Sequence, residues 1–286
     1  MEERGPALTV VVPVWDDYLR WLDECVGSVW AQRDEVPLRV LVVDNASATP
    51  PAGLPDGVEV LRTARRLSLG AARNHGLGRV ATPLVAFADA DDRFPPGYFA
   101  FAVERLRARP EVVAVGMRPV ALDDASGEER AFPWPTDGAI AASRHRRRLA
   151  LRGLLKEPSI VMSGSVFRAD AVRRAGGYSD LGYGEDANLA LLLPFLGDVE
   201  LHRAPNRRYR IHPGSIARRP PSRETLETTF ADARRRLREH RDVPVWAKLL
   251  LPAVRRYHDR RIASALDGSY GKELLRGAAS PRAPRD

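Results

Sequence analysis

Residues 7–14 (ALTVVVPV) form an apolar, β-branched run that predicts a buried strand. Residues 18–32 then space Leu19, Leu22, Val26, Val29 and Trp30 near a helical period, which predicts an amphipathic helix. A second apolar run, 38–44, predicts another buried strand and ends in the turn-rich Asp44-Asn45-Ala46-Ser47. The pattern continues with a short strand at 57–62 and a helix at 68–80, for which Ser68 is the N-cap candidate. A strand at 83–88 follows, then a helix opened by Pro95 and Pro96 and running to about 107. Strands and helices alternating over short connections predict a mostly parallel α/β sheet flanked by helices. Ligands of such sheets sit beyond the carboxyl ends of strands. Asp44 and Asp89 both fall at such ends.

The pattern is more mixed past residue 110. Strands are predicted at 112–117, 199–203 and 208–211, and an extended stretch rich in small residues at 159–167. Residues 123–137 read as polar and turn-rich, and 143–156 as a basic helix. A short helix at 169–175 ends at Gly176-Gly177, and an apolar helix spans 185–196. After Pro220-Pro221 the chain turns helical to about 266, and 277–286 have the composition of a disordered tail. The expected division is 1–110 and 111–219 as two halves of one domain, 220–276 as a basic helical segment, and 277–286 as a tail. The sequence has no internal repeat.

Composition narrows this. Of 286 residues, 44% are hydrophobic and 29% charged, the balance of a soluble globular protein. No run of 18 apolar residues is present, and the start lacks the basic-then-apolar pattern of a signal peptide, so a cytoplasmic location is expected. Cys25 is the single cysteine, which excludes an internal disulfide and a cysteine zinc site; its place on the helix predicts a buried side chain. Net charge is +8, unevenly spread: residues 203–286 hold 21 basic and 9 acidic groups, against 24 and 28 before them. A basic segment on a near-neutral body suits an anionic partner. Only three of the 45 basic residues are lysines, so part of that charge is a compositional bias toward arginine. The basic helices either cap the sheet or lie on an anionic membrane surface, which adds a peripheral membrane contact to the expectations. Aromatic residues are not interleaved with the basic ones, and no nucleic-acid partner is expected.

The sharpest local chemistry is Asp89-Ala90-Asp91-Asp92. Three carboxylates within four residues repel one another unless cations or hydrogen-bond donors neutralise them. Mg²⁺ and Mn²⁺ bridge such carboxylates to substrate phosphates. Taken alone, the cluster also suits capping aspartates before a helix. Glu185-Asp186, after Gly182-Tyr183-Gly184, suits a helix start on its own terms. His212, in Arg210-Ile211-His212-Pro213-Gly214-Ser215, could complete a metal site from its turn. Arg73-Asn74 lie among glycines and alanines that allow close approach.

Together and in order, these pieces resemble glycosyltransferase family 2, the inverting enzymes of the GT-A type, Rossmann-like fold. The resemblance covers about residues 7–216. Val10-Val11-Val12-Pro13-Val14 is similar to the family's first strand, and Leu41-Val42-Val43-Asp44-Asn45-Ala46-Ser47 to its strand ending in aspartate. Ala72-Arg73-Asn74-His75-Gly76-Leu77, Asp89-Ala90-Asp91-Asp92, Ser163-Gly164-Ser165, Gly176-Gly177-Tyr178, Gly184-Glu185-Asp186 and Arg210-Ile211-His212 complete the series. Trp15-Asp16-Asp17 departs from the tyrosine and asparagine of many members.

The resemblance implies a nucleoside diphosphate sugar donor, with Pro13, Asp44, Arg73 and Asp89 on the donor side. It implies Mn²⁺ or Mg²⁺ held by Asp91 and His212, Asp186 as general base, and Glu185 orienting the acceptor. The acceptor could be a glycan, a lipid carrier or a small metabolite. Two other classes were weighed. A nucleotidyltransferase making nucleotide sugars should carry a glycine-rich basic loop after its first strand, where this chain has Trp15-Asp16-Asp17. A non-catalytic binding protein of the same fold should have lost Asp91 or Asp186, and both are present.

Overall fold

The computed structural model describes residues 6–156, 160–215 and 221–266. Strand β1 (Leu8–Val14) is buried along its whole length, as its unbroken apolar run requires. It pairs in parallel with β2 (Leu38–Asp44) on one side and β4 (Leu84–Phe87) on the other, and β3 (Glu59–Arg62) extends the sheet beyond β2. A 3-10 turn (Asp16–Tyr18) leads into α1 (Leu19–Trp30), whose Leu22, Cys25, Val26 and Val29 are buried in an apolar cluster with residues of the sheet. Cys25 is fully buried, as its helical position predicts. Helix α2 (Leu69–Leu77) is capped by Ser68, whose hydroxyl accepts from the Ala71 N–H at 3.1 Å. Helix α3 (Tyr98–Ala108) leads to β5 (Val112–Met117).

The later strands join this same sheet. They are β8 (Val166–Arg168), which is antiparallel to both β4 and β5, and β9 (Asp198–His202), which is parallel to β5. The seven-stranded order β3-β2-β1-β4-β8-β5-β9 is the mostly parallel α/β sheet expected. Two apolar clusters pack on it. One lies under α1 and α3. The other lies under α2, α5 (Arg146–Leu155), α6 (Ala169–Arg174) and α7 (Glu185–Leu196).

Three features were not read from the sequence. Residues within 120–131 form a hairpin, β6 (Val120–Asp123) and β7 (Glu129–Ala131). With β10 (Arg208–Ile211), parallel to β6, it makes a second small sheet. A separate helix, α4 (Asp137–Ser143), precedes α5. The polar, turn-rich composition of 123–137 hides both, because the pairing partner of β6 lies 88 residues further along.

The C-terminal segment is helical, in three pieces: α8 (Arg223–Glu239), α9 (Val245–Leu249) and α10 (Leu251–Leu266). Leu237, Val243, Ala247 and Val254 belong to the main core cluster, with Trp246, Leu250 and Leu251 packed against it. These contacts pack the helices onto the domain, as the first of the two expectations requires. The tail expected at 277–286 lies outside the described residues.

Candidate active site

Parallel pairing puts Val14 level with Asp44 and Val11 level with Phe87, so the ends of β1, β2 and β4 open on one edge. Asp44, the last residue of β2, is fully buried. Its Oδ1 accepts from the Ser47 N–H at 3.0 Å and its Oδ2 from Arg62 Nη1 at 2.6 Å. Arg62 also donates to the Ser47 carbonyl at 2.6 Å. The loop after β1 closes over this corner. The Asp16 N–H donates to Ser47 Oγ, and Asp16 pairs with Arg66, whose guanidinium lies 4.6 Å from the Trp15 ring. Pro13 lies in β1 beside Val43. Arg62 and Arg66 were not singled out in the sequence, where an arginine-rich background conceals individual cations.

The three aspartates after β4 have three different environments. Asp89 is partly exposed and pairs with Arg73 Nη2 at 2.6 Å. Asp91 is buried, and its Oδ2 lies 3.2 Å from His212 Nε2. Burial raises its pKa, with His212 opposing. Asp92 is fully buried between Arg207 Nη1 at 2.5 Å and the Ser163 hydroxyl, which donates to it at 2.5 Å. Arg207 also donates to the Ser163 carbonyl, and Ser163 Oγ accepts from the Asp89 N–H. The third aspartate is thus part of a buried brace beneath the first two. Arg210 braces the other side. It donates to the Asp91 carbonyl at 3.0 Å and to Asp124 at 2.8 Å, and pairs with Glu24.

His212 sits in an aromatic box. Its ring centroid is 4.0 Å from that of Trp21 and 5.6 Å from that of Tyr18. His212 Nδ1 accepts from the Gly214 N–H at 3.1 Å, which leaves the Nε2 side to face Asp91. A cation between Asp91 and His212 would replace the proton that now joins them, and the Gly214 N–H would have to turn from Nδ1. No cluster of three or more His, Cys, Asp or Glu side chains poised for a metal exists among the described residues. Two protein ligands suit Mg²⁺ or Mn²⁺, which complete their shells with water and substrate phosphate. The residues present fit such an ion on those terms.

Arg73 ties the two sides of the site together. From α2 it reaches Asp89 with one nitrogen and Glu185 Oε1 with another, at 2.5 Å. Burial works against its charge, but Asp89 and Glu185 outweigh that and hold it protonated. Glu185 and Asp186 begin α7, after the left-handed Gly184. Burial, then Asp186, pushes Glu185 up to about 7, with Arg73 opposing. Burial also raises Asp186, against the pull of Arg73. Asp186 Oδ1 accepts from the Ala187 N–H at 2.6 Å. A carboxylate whose pKa is raised by burial, beside a buried cation, has the character of a general base.

The model of Glycosyl transferase family 2 matches residues 9–176, well over half of the chain. The chain belongs to this family. It is 32% identical over 183 residues to the amylovoran biosynthesis glycosyltransferase AmsE of Erwinia amylovora, a match covering 62% of this chain and 65% of that protein. The match thus spans just under two thirds of that relative's length. The fold is shared with residues 1–349 of S. aureus TarS solved with UDP-GlcNAc, at TM-score 0.67 and 13% identity over 93% of this chain and 75% of that one. The same TarS fragment solved with UDP aligns at TM-score 0.63, with 13% identity over 93% of this chain and 74% of that one. The GT-A architecture expected from the sequence is therefore the one present. Glu185, Asp186 and His212 lie beyond the range that the family model matches.

Proposed function

We propose that this chain moves a sugar from a nucleoside diphosphate sugar to an acceptor hydroxyl in one inverting displacement. The observation that supports the reading is the Asp89–Arg73–Glu185 bridge, which links the strand-end carboxylates to the segment bearing Asp186. Asp186 takes the proton from the acceptor hydroxyl as that oxygen bonds to the anomeric carbon. The carbon–oxygen bond to the diphosphate breaks, and its electron pair leaves with the diphosphate. One displacement inverts the configuration and needs no covalent enzyme intermediate. Glu185 orients the acceptor and is itself held by Arg73. Pro13 and Asp44 line the base end of the donor, and Asp89 its ribose end. Asp91 and His212 would hold Mn²⁺ or Mg²⁺, which when bound supplies Lewis-acid neutralisation of the leaving diphosphate.

The UDP-GlcNAc and UDP in the TarS structures support a uridine diphosphate sugar as the first donor to test. The name of AmsE makes intermediates of amylovoran biosynthesis the first acceptors to test. The test is a screen of uridine, guanosine and thymidine diphosphate sugars for hydrolysis and transfer with Mn²⁺. Transfer should stop in EDTA and return with Mn²⁺ or Mg²⁺. Full activity in EDTA sinks the metal, and no turnover of any donor sinks the reaction.

A peripheral membrane contact is part of this proposal. No helix among the described residues is long and apolar enough to cross a membrane. On α9, however, Val245 and Leu249 are 72% and 73% exposed, one turn apart. Beside them Trp246 carries the Arg147 guanidinium 5.0 Å from its ring centroid. Exposed apolar side chains next to arginines suit the interface of an anionic bilayer. The protein should sediment with anionic liposomes at low salt, and Val245→Glu with Leu249→Glu should release it. A wild-type protein left in the supernatant ends this part.

A further inference from the structure

Helix α8 lies outside the residues that the family model matches, yet it touches the segment bearing Asp186 at four places. Arg236 donates to the carbonyls of Gly176 and Gly177, at 3.1 and 2.8 Å. Ser179 donates its hydroxyl to Asp232 Oδ2 at 2.5 Å. Thr229 donates its hydroxyl to the Tyr183 carbonyl at 2.9 Å. Asn188 Nδ2 donates to Asp232 Oδ2 at 2.8 Å and to the Thr229 carbonyl at 3.2 Å. Asp186 stands between the third and fourth contacts.

The contacts come from one face of the helix. Thr229, Asp232 and Arg236 follow at three- and four-residue steps, and Leu226, Ala233 and Leu237 bury beside them. The fit is close. Gly184 is left-handed, with φ 71°, and a Cβ there would come within 2.5 Å of Thr229 Cγ2. On the opposite side of the segment, a Cβ on Gly70 of α2 would meet the Ser179 carbonyl oxygen at 1.9 Å. The 178–188 stretch is therefore held between α2 and α8. Asp232 can bear this load as an anion. Burial would raise its pKa, but the bonds from Ser179, Arg235 and Asn188 outweigh it and lower the pKa.

We propose that α8 is a positioning element of the acceptor side, with Thr229 and Asp232 holding the turn that aims Asp186. This rests on the reading of Asp186 as general base. It gives the C-terminal segment a part in the reaction beyond covering apolar surface. Neither residue touches a reacting atom, so both act through Tyr183, Ser179 and Asn188.

Two pairs of variants of the full chain test it. Thr229→Val keeps the shape and removes the donor, while Thr229→Ser restores a hydroxyl. Asp232→Ala removes the acceptor, while Asp232→Asn keeps a carbonyl oxygen for Ser179 or Asn188. The primary readout is amide hydrogen exchange, which needs no substrate. Thr229→Val and Asp232→Ala should speed exchange across 182–188 by about tenfold, the scale for local opening that loses one or two buried hydrogen bonds. Exchange in β1 and β2 should not move, and the serine and asparagine variants should stay near wild type. With a donor found in the screen, kcat should fall in step with the lost protection while the donor KM holds. Unchanged exchange at 182–188, or an equal rise throughout the sheet, overturns the proposal. A wild type that turns over no donor defeats the glycosyl-transfer reading separately and leaves the exchange result to decide this one.

Discussion

The proposed donor side and the proposed acceptor side are built by different means. On the donor side, Asp44 and the 89–92 cluster follow directly from the ends of β2 and β4, and parallel pairing alone brings them level. On the acceptor side, Glu185 and Asp186 do not sit at a strand end. They start a helix after a left-handed glycine, and they are placed by Arg73, which is 112 residues away in sequence, and by α8 from beyond the far end of the site. A strand end is a rigid mount that tolerates substitution around it, whereas a turn held by distant hydrogen bonds is accurate only while each bond is made. Changes on the donor side should therefore appear as changes in donor affinity, and changes on the acceptor side as changes in turnover.

The largest expected effect tests the acceptor side directly. Asp186→Asn keeps the shape of the side chain and cannot accept the proton. Turnover should fall by a factor on the order of 10² to 10⁴, the usual worth of a general base. Nucleotide affinity in the presence of Mn²⁺ should be unchanged. Wild-type turnover in this variant would move the base elsewhere, with Glu185 next in line.

Arg207 tests whether the two sides can be separated at all. It lies just before β10, and its guanidinium is buried under the donor-side cluster against Asp92. Arg207→Met leaves Asp92 as a buried carboxylate without its cation. The cost should be about 3–5 kcal/mol of unfolding free energy, the range for breaking a buried pair from one end. Adding Asp92→Asn should recover part of it, because the orphaned charge is gone. A loss under about 1 kcal/mol in urea titrations, within the range of an exposed pair, would mean that the brace carries little of the fold.

The site was legible where the chain itself does the placing. Unbroken apolar runs gave β1, β2, β4 and α7 close to their ends, and the strand-end positions of Asp44 and Asp89 followed. What escaped was whatever depends on a distant partner. The β6–β7 hairpin reads as polar turn because its third strand, β10, comes much later. Arg62 and Arg207 were not singled out among 45 basic residues, and Arg210 only as part of a motif, yet each is paired with an aspartate. Their common signal, a cation within a few residues of a β-strand end, is too frequent in this composition to single them out. Arg73, expected on the donor side, also reaches Glu185, and that second contact was not read from the sequence. The basic helices offered two readings, capping the sheet or lying on an anionic membrane, and the bonds from α8 to the 176–188 segment belonged to neither.

Arg73 also sets the pH at which the acceptor side works. The groups around it are Asp89, Tyr178, Glu185 and Asp186. Glu185 and Asp186 are raised by burial, and Arg73 is the cation that opposes this for both. The base acts when deprotonated, so turnover should rise with pH through the apparent pKa of the pair, with Glu185 at about 7. Arg73→Gln removes the opposing charge, so the acid limb should move to higher pH. The fold carries the same signature with the opposite sense. Carboxyls raised in the native state bind protons that the unfolded chain has lost, so stability falls as pH rises from the ordinary glutamate range through about 7. An acid limb that stays in place, or moves down, in Arg73→Gln would detach the guanidinium from the base.

The smallest expected effect belongs to the donor side and completes the contrast. Arg62 is partly exposed and shares Asp44 with the Ser47 N–H. A nucleotide base reaching Asp44 must share Oδ2 with this arginine or displace it. Arg62→Ala opens that oxygen but leaves a fully buried carboxylate with one hydrogen bond fewer, and the two consequences oppose each other. Solvent screens the exposed guanidinium, so the net change should be about 1 kcal/mol or less, roughly fivefold at most in donor KM. The direction shows which consequence dominates: a lower KM means that Arg62 had been blocking the base, and a higher one that it had been aligning Asp44. In either case kcat should hold, because the proposed proton transfer is at Asp186, away from Arg62. A fall in kcat at constant donor KM would place Arg62 in the chemical step, and the division of labour between strand-end donor groups and loop-held acceptor groups would fail.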